Sequence, residues 1–356
     1  MPPVPVQPRR LLRRVAAWCA RALGILLALA LAGFGALALW SHAPGGRLAA
    51  TALAGLWVIW VGTTGLLASA DPRAWRAWGL LAAGCLVLGL WWGSITPSND
   101  RVWAADVART LSAERRGSEV VLHNVRNFAW RSDEDYTARW ETRRYDLDRL
   151  RSVDMALSYW MGSAGLGSAG LGPAIAHTLV TFGFDDGRQL VFSVEVRKER
   201  HEQYSALAGF FKRYELALVA ADERDILGVR ARVRDEDVYL YRVHMPVTAM
   251  RALFEQYLDE AESLRATPRF YQTLTANCTT IVYAMMQRIV PGLPLDLRLL
   301  ASGYLPSYVQ EVGALTPGYS LQQLQARGRI TERARQAGPN ADFSAAIRQG
   351  LPVVAR

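Results

Sequence analysis

Cys278 has the setting of a catalytic nucleophile in this chain of 356 residues. It lies within residues 275–280, just before the helical-looking run of residues 281–286. The unpaired N–H groups and the positive dipole end at a helix start favour a thiolate over a thiol. The other cysteines, Cys19 and Cys85, lie in or beside apolar segments, where a cysteine behaves as a small apolar residue. We therefore expect Cys278 to be a nucleophile, with a buried structural cysteine as the alternative.

His177 is the candidate base for this thiol. It opens the strongest strand pattern of the chain, residues 177–184, which Asp185-Asp186-Gly187 separate from a second strand pattern at residues 188–197. The three separating residues are typical of a hairpin turn. Because strand side chains alternate between two faces, His177 lies on the face opposite to the large apolar residues of its strand.

The same hairpin offers two residues that could orient the imidazole. If residues 185–187 form a three-residue turn, counting back sets His177 opposite Glu195 and Leu179 opposite Ser193. Glu195 or Ser193 could then fix the tautomer of the ring, as the third member of a nucleophile–base–orienter triad does. A change of register by one residue would remove this pairing. A strand histidine bonded to a backbone carbonyl is the alternative interpretation.

Asn277 and the backbone N–H of Cys278 are the candidate donors to an oxyanion. One cysteine outside the apolar N-terminal third and scattered histidines give no spacing typical of metal ligands. The Gly-x-Ser-x-Gly motif of serine hydrolases is also missing from the sequence. We therefore expect no metal and no cofactor, and a reaction that depends on the thiol.

The positive charge of the chain is concentrated in its first third. The net charge of +9 and the pI near 9.7 are typical of nucleic-acid-binding proteins. Residues 1–94, however, contain eight arginines and one aspartate, a net of +7, which leaves about +2 for the remaining 262 residues. This charge is too small for a nucleic-acid-binding surface, so no nucleic acid is expected as a partner.

Three apolar segments in that first third predict membrane helices. Residues 22–40, 48–70 and 77–93 each approach the roughly 20 residues that a helix needs to cross a bilayer. The arginines before the first segment and between the second and third indicate a cytoplasmic N-terminus. Everything after about residue 95 is then outside the cytoplasm, where Cys278 has no disulfide partner. A cleaved signal peptide is the alternative for the first segment.

The rest of the chain predicts an α+β domain. Residues 1–94 are assigned to the membrane anchor, residues 95–117 to a linker with a short helix, and residues 118–356 to the exported domain. Further strands are expected at residues 119–122 and 136–142, and a second strand pair at residues 225–234 and 238–244. Residues 247–266, and the segment after Cys278 to about residue 290, are expected to be helices. The Gly-Ser-rich residues 162–172 predict a flexible loop, with a lid over the site as one interpretation.

Several short motifs together carry a family resemblance. They are Asn127-Phe128-x-Trp130-Arg131-Ser132, Tyr145-Asp146-Leu147, Asp154, Tyr159-Trp160, His177-x4-Phe182-Gly183-Phe184, Ser193-Val194-Glu195-Val196-Arg197, Tyr239-Leu240-Tyr241, Asn277-Cys278-Thr279-Thr280, Arg329-Ile330-Thr331 and Asp342-Phe343-Ser344-x2-Ile347-Arg348. As a set they resemble the DUF4105 family, also called the Lnb N-terminal periplasmic domain, over roughly residues 118–350. The glycine-rich insert before His177 departs from the pattern of that family.

The resemblance implies a periplasmic, membrane-associated protein and, in characterised relatives, an acyltransferase that N-acylates lipoproteins. It maps His177 and Cys278 onto the positions of the catalytic pair. The order of histidine before cysteine is also similar to permuted papain-like enzymes of the NlpC/P60 and lecithin:retinol acyltransferase kind. The expected architecture is therefore three N-terminal transmembrane helices followed by a permuted papain-like (NlpC/P60-like) exported domain.

The expected function is that of a periplasmic cysteine acyltransferase anchored in the bacterial inner membrane. Cys278 would form a thioester with an acyl group from a phospholipid or lipoprotein and pass it to an amine such as a lipoprotein N-terminus. A periplasmic cysteine amidase or peptidase that acts on cell-wall peptide is one alternative, and a non-catalytic envelope scaffold is another. The oligomeric state is not predicted.

Overall fold

The computed structural model describes residues 8–42, 45–70, 75–159, 174–338 and 341–352. These residues separate into two compact units, Met1–Thr96 and Pro97–Arg356. The glycine-rich residues 162–172 lie outside the described residues, so the lid expected there stays a prediction.

The first unit contains three long apolar helices, α1 (Pro8–His42), α2 (Gly46–Ala70) and α3 (Trp75–Ser94). Each holds a stretch long and apolar enough to cross a membrane, of 28, 23 and 20 residues respectively. Gly35 allows α1 and α2 to approach closely, because a Cβ at this position would overlap the indole of Trp57. The indole Nε1 of Trp57 donates to the Leu31 carbonyl at 3.1 Å, so the contact also satisfies its polar atom.

The second unit is built on one sheet, to which the described residues contribute eight strands. In sheet order they are β1 (Ser112–Arg116), β2 (Glu119–Arg126), β9 (Glu215–Ala221), β8 (Gln189–Arg197), β7 (Ala176–Phe184), β6 (Leu150–Tyr159) and β10 (Asp237–Val243), with β5 (Trp140–Asp146) paired to β2. Neighbours are antiparallel, except that β2 and β9 meet in parallel at Arg126 and Ala221. A small separate hairpin joins β3 (Ala129–Trp130) to β4 (Tyr136–Thr137). The predicted α+β class is confirmed.

Seven helices accompany this sheet in the described residues. They are α4 (Glu223–Arg232), α5 (Val247–Ala266), α6 (Thr280–Ile289), α7 (Leu305–Glu311), α8 (Leu321–Gly328), α9 (Thr331–Gln336) and α10 (Phe343–Ile347). On one face, the ring of Phe192 stacks on Tyr257 of α5 with centroids 4.7 Å apart. On the other face, Leu179 and Val191 pack in one apolar cluster with Ile226 of α4. The sheet is therefore covered on both sides and holds two apolar layers.

The hairpin of β7 and β8 has the predicted register. Leu179 is paired with Ser193, and the turn is closed by the Phe184 and Arg188 backbones. The regular β7–β8 pairs extend from Leu179 to Gly183, so His177 lies just beyond the end of this ladder. The two strands thus part where the candidate base is located.

Two parts of the sequence prediction are corrected by the structure. Residues 225–234 do not form a strand, because Asp222 accepts from the Arg224 N–H and caps α4, and α4 has acidic residues in its first turn and basic residues in its last. The partner of β10 is β6. Residues 112–116, which the sequence analysis places in the linker, form the edge strand β1 through pairing with β2.

Candidate active site

Cys278 lies in a tight loop directly before α6. Residues Gln272 and Ala276 close this loop with two backbone hydrogen bonds of 3.1 and 3.0 Å. The side-chain oxygen of Asn277 accepts from the backbone N–H groups of Thr279 and Thr280, each at 2.9 Å. Asn277 therefore holds together the turn that leads into α6 and fixes the thiol just before the helix, whose unpaired N–H groups stabilise an anion.

The amide nitrogen of Asn277 donates to the Thr273 carbonyl at 2.7 Å. Both amide atoms of Asn277 are therefore engaged within the loop that carries Cys278. The backbone N–H of Cys278, in contrast, donates to no acceptor in the part of the chain that the structure describes. Of the two candidate oxyanion donors, the Cys278 N–H is therefore the one that is available. A contact between the Asn277 amide and an oxyanion stays a prediction.

His177, Ser193 and Glu195 form a hydrogen-bonded chain on the face of the sheet that packs against α4. The Ser193 hydroxyl donates to Glu195 Oε1 at 2.7 Å, and the same oxygen atom of Ser193 lies 2.7 Å from His177 Nε2. Because a hydroxyl has one proton to give, Nε2 must carry a proton and donate to Ser193. His177 Nε2 is also 3.3 Å from Glu195 Oε1. This leaves Nδ1 of His177 for the thiol.

Arg230 of α4 keeps the Glu195 carboxylate in its ionised form. Its Nη2 donates to Glu195 Oε1 at 2.9 Å, and its Nη1 donates to the Ile226 carbonyl at 2.8 Å. Burial by itself raises the pKa of Glu195, but the charges of His177 and Arg230 outweigh it and hold this pKa well below its ordinary value. Glu195 is consequently an anion that can stabilise an imidazolium.

Cys278 and His177 interact with each other as buried groups, each with 7% of its surface exposed. Burial lowers the pKa of His177, yet the charges of Glu195 and Cys278 raise it to about 9. Burial likewise raises the pKa of the Cys278 thiol, but the charge of His177 and a hydrogen bond with it lower this pKa overall. The arrangement favours a thiolate–imidazolium ion pair at neutral pH.

Thr178 links the strand of the base to the loop of the thiol. A hydrogen bond from the Thr178 backbone N–H lowers the pKa of Cys278 further. The hydroxyls of Thr178 and Thr279 lie 3.0 Å apart. The end of the β7–β8 ladder therefore leaves a strand N–H that can reach the sulfur of Cys278.

A second loop, residues 199–214, lies against the loop of Cys278. The Thr273 hydroxyl donates to the Ala206 carbonyl at 3.2 Å, and the Tyr271 N–H donates to the Tyr214 carbonyl at 2.9 Å. Tyr204 of this loop is half-exposed, and burial followed by the charge of Cys278 raises its pKa to about 12. Tyr204 thus remains a neutral phenol near the thiol.

The structure brings together four of the five site residues expected from the sequence: Cys278, His177, Ser193 and Glu195. Asn277 is adjacent in the chain and supports the loop. The sequence does not predict a place in the site for Arg230, Thr178 or Tyr204. Arg230 lies in a segment for which a strand is predicted instead of α4. Among the described residues, no group of three or more His, Cys, Asp or Glu side chains could hold a metal ion.

The part of the sequence that contains the thiol site matches a known protein family. Residues 136–303 match the family described as the Lnb N-terminal periplasmic domain, which bears out the family resemblance in its central part. No curated protein and no solved structure matches the chain.

Proposed function

Residues 136–303 form an Lnb N-terminal periplasmic domain, and from this premise we propose that the protein is a membrane-anchored cysteine acyltransferase. The family description and three long apolar helices indicate a membrane-anchored protein. The observation that carries the proposal is the contact of two buried residues, Cys278 and His177, with the partly buried Glu195. A thiol with a lowered pKa beside an imidazole oriented by a carboxylate is the arrangement that cysteine nucleophiles need.

The proposed location is the inner membrane of a bacterium, with the N-terminus in the cytoplasm. Five arginines in the first 21 residues, together with Arg73 and Arg76 around the start of α3, support this orientation, since Lys and Arg are enriched in cytoplasmic segments. The second unit is then periplasmic, in agreement with the family description. Cys278 is free in the structure, as an acyl carrier must be.

In the first step the Cys278 thiolate attacks the carbonyl carbon of an acyl ester. The C–S bond forms, the ester C–O bond breaks, and the leaving alkoxide takes the Nδ1 proton of the His177 imidazolium. The Cys278 N–H stabilises the tetrahedral oxyanion. The products are an acyl thioester on Cys278, a neutral imidazole and an alcohol.

In the second step a neutral amine attacks the thioester. The new C–N bond forms, the C–S bond breaks, and His177 Nδ1 accepts the amine proton. This regenerates the thiolate and the imidazolium that began the cycle. Ser193 and Glu195 keep the proton on Nε2 and so leave Nδ1 to exchange protons with the reactants.

Exposed apolar side chains beside the site support a lipid as the acyl donor. Tyr204, Leu207, Phe210 and Leu274 are between 39% and 51% exposed. They belong to the two loops that meet through Thr273 and Ala206. Acyl chains of a phospholipid or of a lipoprotein could be accommodated by such side chains, whereas a cell-wall peptide calls for polar groups.

The proposed fold of the second unit is a permuted papain-like domain. The supporting features are a histidine on an inner strand that precedes, in the chain, a cysteine at a helix start. Papain-like chemistry serves acyl transfer to water as well as to an amine. Hydrolysis is therefore the outcome to watch for when the acceptor amine is left out of an assay.

The experiment is to incubate the purified full-length protein with phospholipid and a diacylated lipoprotein that has a free N-terminus. Mass spectrometry should detect an N-acylated product with the wild type and with Cys85→Ala, the matched control in α3. Cys278→Ala and His177→Ala should give none, and an acyl adduct on Cys278 should be released by hydroxylamine. Undiminished acylation by a folded Cys278→Ala protein would contradict the proposal, and products from water alone would make the protein a hydrolase.

A further inference from the structure

A cleft of about 790 Å³ lies away from the thiol site, and no residue of that site lines it. One wall is the segment that contains Phe128 and Trp130, and α4 and Phe343 of α10 supply the others. Five arginines share its lining: Arg139, Arg143, Arg188, Arg224 and Arg232. Nothing in the proposed acyl transfer uses this cleft, although it contains two of the motifs that carry the family resemblance.

Three of these arginines have carboxylate partners. Arg139 contacts Glu141 at 2.9 Å, and Arg188 contacts Asp186 at 2.6 Å. Arg143 contacts Asp222 at 2.9 Å. Their charges are largely balanced, so they form a polar rim rather than a strong anion site by themselves.

Arg232 differs from them because, among the described residues, no carboxylate pairs with it. Its Nε and Nη2 each donate at 2.6 Å to carbonyls, those of Ala334 and Ala337, and no hydrogen bond of its Nη1 is found in that part of the chain. Its guanidinium also lies over the ring of Phe343, 5.1 Å from the centroid. Burial and then the charge of Arg224 lower its pKa, since no anion offsets them. Arg232 is thus a fixed cation for which the described residues supply no counter-charge.

The helix geometry leaves room for a ligand beside Arg232. Arg224, Gly228 and Arg232 are spaced by four residues and share one face of α4, with the two arginines about 12 Å apart along the axis. Gly228 has no side chain, and a Cβ there would approach Phe343 no closer than 3.9 Å. The floor between the two arginines is therefore open.

An aromatic wall faces this floor. The rings of Phe128 and Trp130 are 5.7 Å apart, and the Trp130 Nε1 donates to the buried Asp225 at 2.7 Å, which fixes the indole. A ligand between the wall and α4 would contact flat apolar rings on one side and guanidinium groups on the other. This combination fits an anionic group attached to an apolar or sugar-like body.

We propose that this cleft binds a phosphate-bearing anion through Arg232. The planar guanidinium matches phosphate oxygens, and a phosphate would supply the counter-charge that the described part of the chain does not offer. The phosphate can belong to a lipid headgroup or to a soluble phosphate ester. The chemistry at Arg232 is the same in both cases.

The test measures binding to the full-length protein in non-ionic detergent by equilibrium dialysis. One arm uses radiolabelled glycerol 3-phosphate and the other uses mixed micelles that contain labelled phosphatidylglycerol. Arg232→Gln should weaken binding about tenfold, because a charge-assisted hydrogen bond is lost. Arg265→Gln, which removes an exposed cation of α5 paired with Glu262, should leave binding unchanged. Cys278→Ala should also bind normally, because the cleft is independent of the thiol.

Binding in both arms indicates a site for phosphate esters in general, and binding only to the micelles identifies a lipid headgroup. Arg139→Gln, at the exposed rim, provides a second variant that removes no contact between helices and should weaken binding two- to threefold. The proposal is overturned if neither probe binds above the background of heat-unfolded protein. It is equally overturned if a folded Arg232→Gln protein binds like the wild type, or, where that variant does not fold, if Arg139→Gln binds like the wild type.

Discussion

The Ser193 hydroxyl lies 2.7 Å from the Nε2 atom of His177 and donates to Glu195 Oε1, also at 2.7 Å, so that it bridges the imidazole and the carboxylate. The direct separation between His177 Nε2 and Glu195 Oε1 is longer, at 3.3 Å. The orienting group is therefore a serine and a glutamate acting together. The two roles can be separated by mutation.

Ser193→Ala should lower the rate of acyl transfer by about fivefold, the value of one neutral hydrogen bond. Glu195→Gln should lower it by roughly ten- to a hundredfold, because the charge that stabilises the imidazolium is lost. Single-turnover rates of thioester formation measure both effects. Equal losses for the two variants would show that Ser193, rather than the carboxylate charge, governs the ring.

The thiolate–imidazolium pair should be visible in the pH dependence of alkylation. Since the pKa of Cys278 is lowered, its reaction with iodoacetamide should reach half its plateau rate below the pH at which an ordinary thiol does. His177→Ala should move that midpoint upward, because the charge that stabilises the thiolate is removed. Mass spectrometry can follow the peptide that contains Cys278, with a small free thiol in the same solution as the reference. An unmoved midpoint in the variant would contradict the ion pair.

Arg230→Met should destabilise the second unit by about 2 kcal/mol, because it leaves the partly buried Glu195 carboxylate with one partner fewer. Glu195 has a lowered pKa, so its stabilisation is present above about pH 4.5 and is lost as the pH falls through the depressed value. The variant should therefore lose less stability on acidification than the wild type. Chemical denaturation at pH 7 and pH 4 measures both quantities, with Arg265→Met as the exposed control.

Asn277→Ala should cost about 1 kcal/mol of stability, since it removes the oxygen that accepts from two backbone N–H groups at the start of α6. Asn277→Asp keeps an accepting oxygen but loses the bond to the Thr273 carbonyl, so it should recover most of the stability. If the residue acts through the loop, the rate should follow stability in both variants. A full loss of rate in a stable Asn277→Asp protein would instead assign the amide to the oxyanion.

The register of the β7–β8 hairpin could be predicted from the sequence, because the turn residues and the alternation of apolar side chains indicate the same strand pairing. Asp185-Asp186-Gly187 defines the turn, and this sets Leu179 against Ser193, which brings His177 close to Glu195. The position of Cys278 before a helix could also be predicted, since polar capping residues precede an apolar run. These local signals identify each half of the site.

The rest depends on contacts between distant parts of the chain. The segment of α4 contains an apolar run that suits a strand as well as a helix, and packing against α9 and the sheet decides between them. Arg230 was missed for that reason. Strand β9 was missed because both of its faces are buried, which removes the alternation of polar and apolar residues. The approach of Thr178 to Thr279, across 101 residues, has no local signature.

The parting of β7 and β8 before His177 has a consequence for the newly made chain. The imidazole and the strand N–H that lower the pKa of Cys278 reach the sulfur only after the loop before α6 has docked at that gap. Until then Cys278 is an ordinary thiol, largely protonated at neutral pH and slow to form mixed disulfides. Its reactivity is thus acquired only when this contact forms, which protects the chain from oxidation before the site is complete.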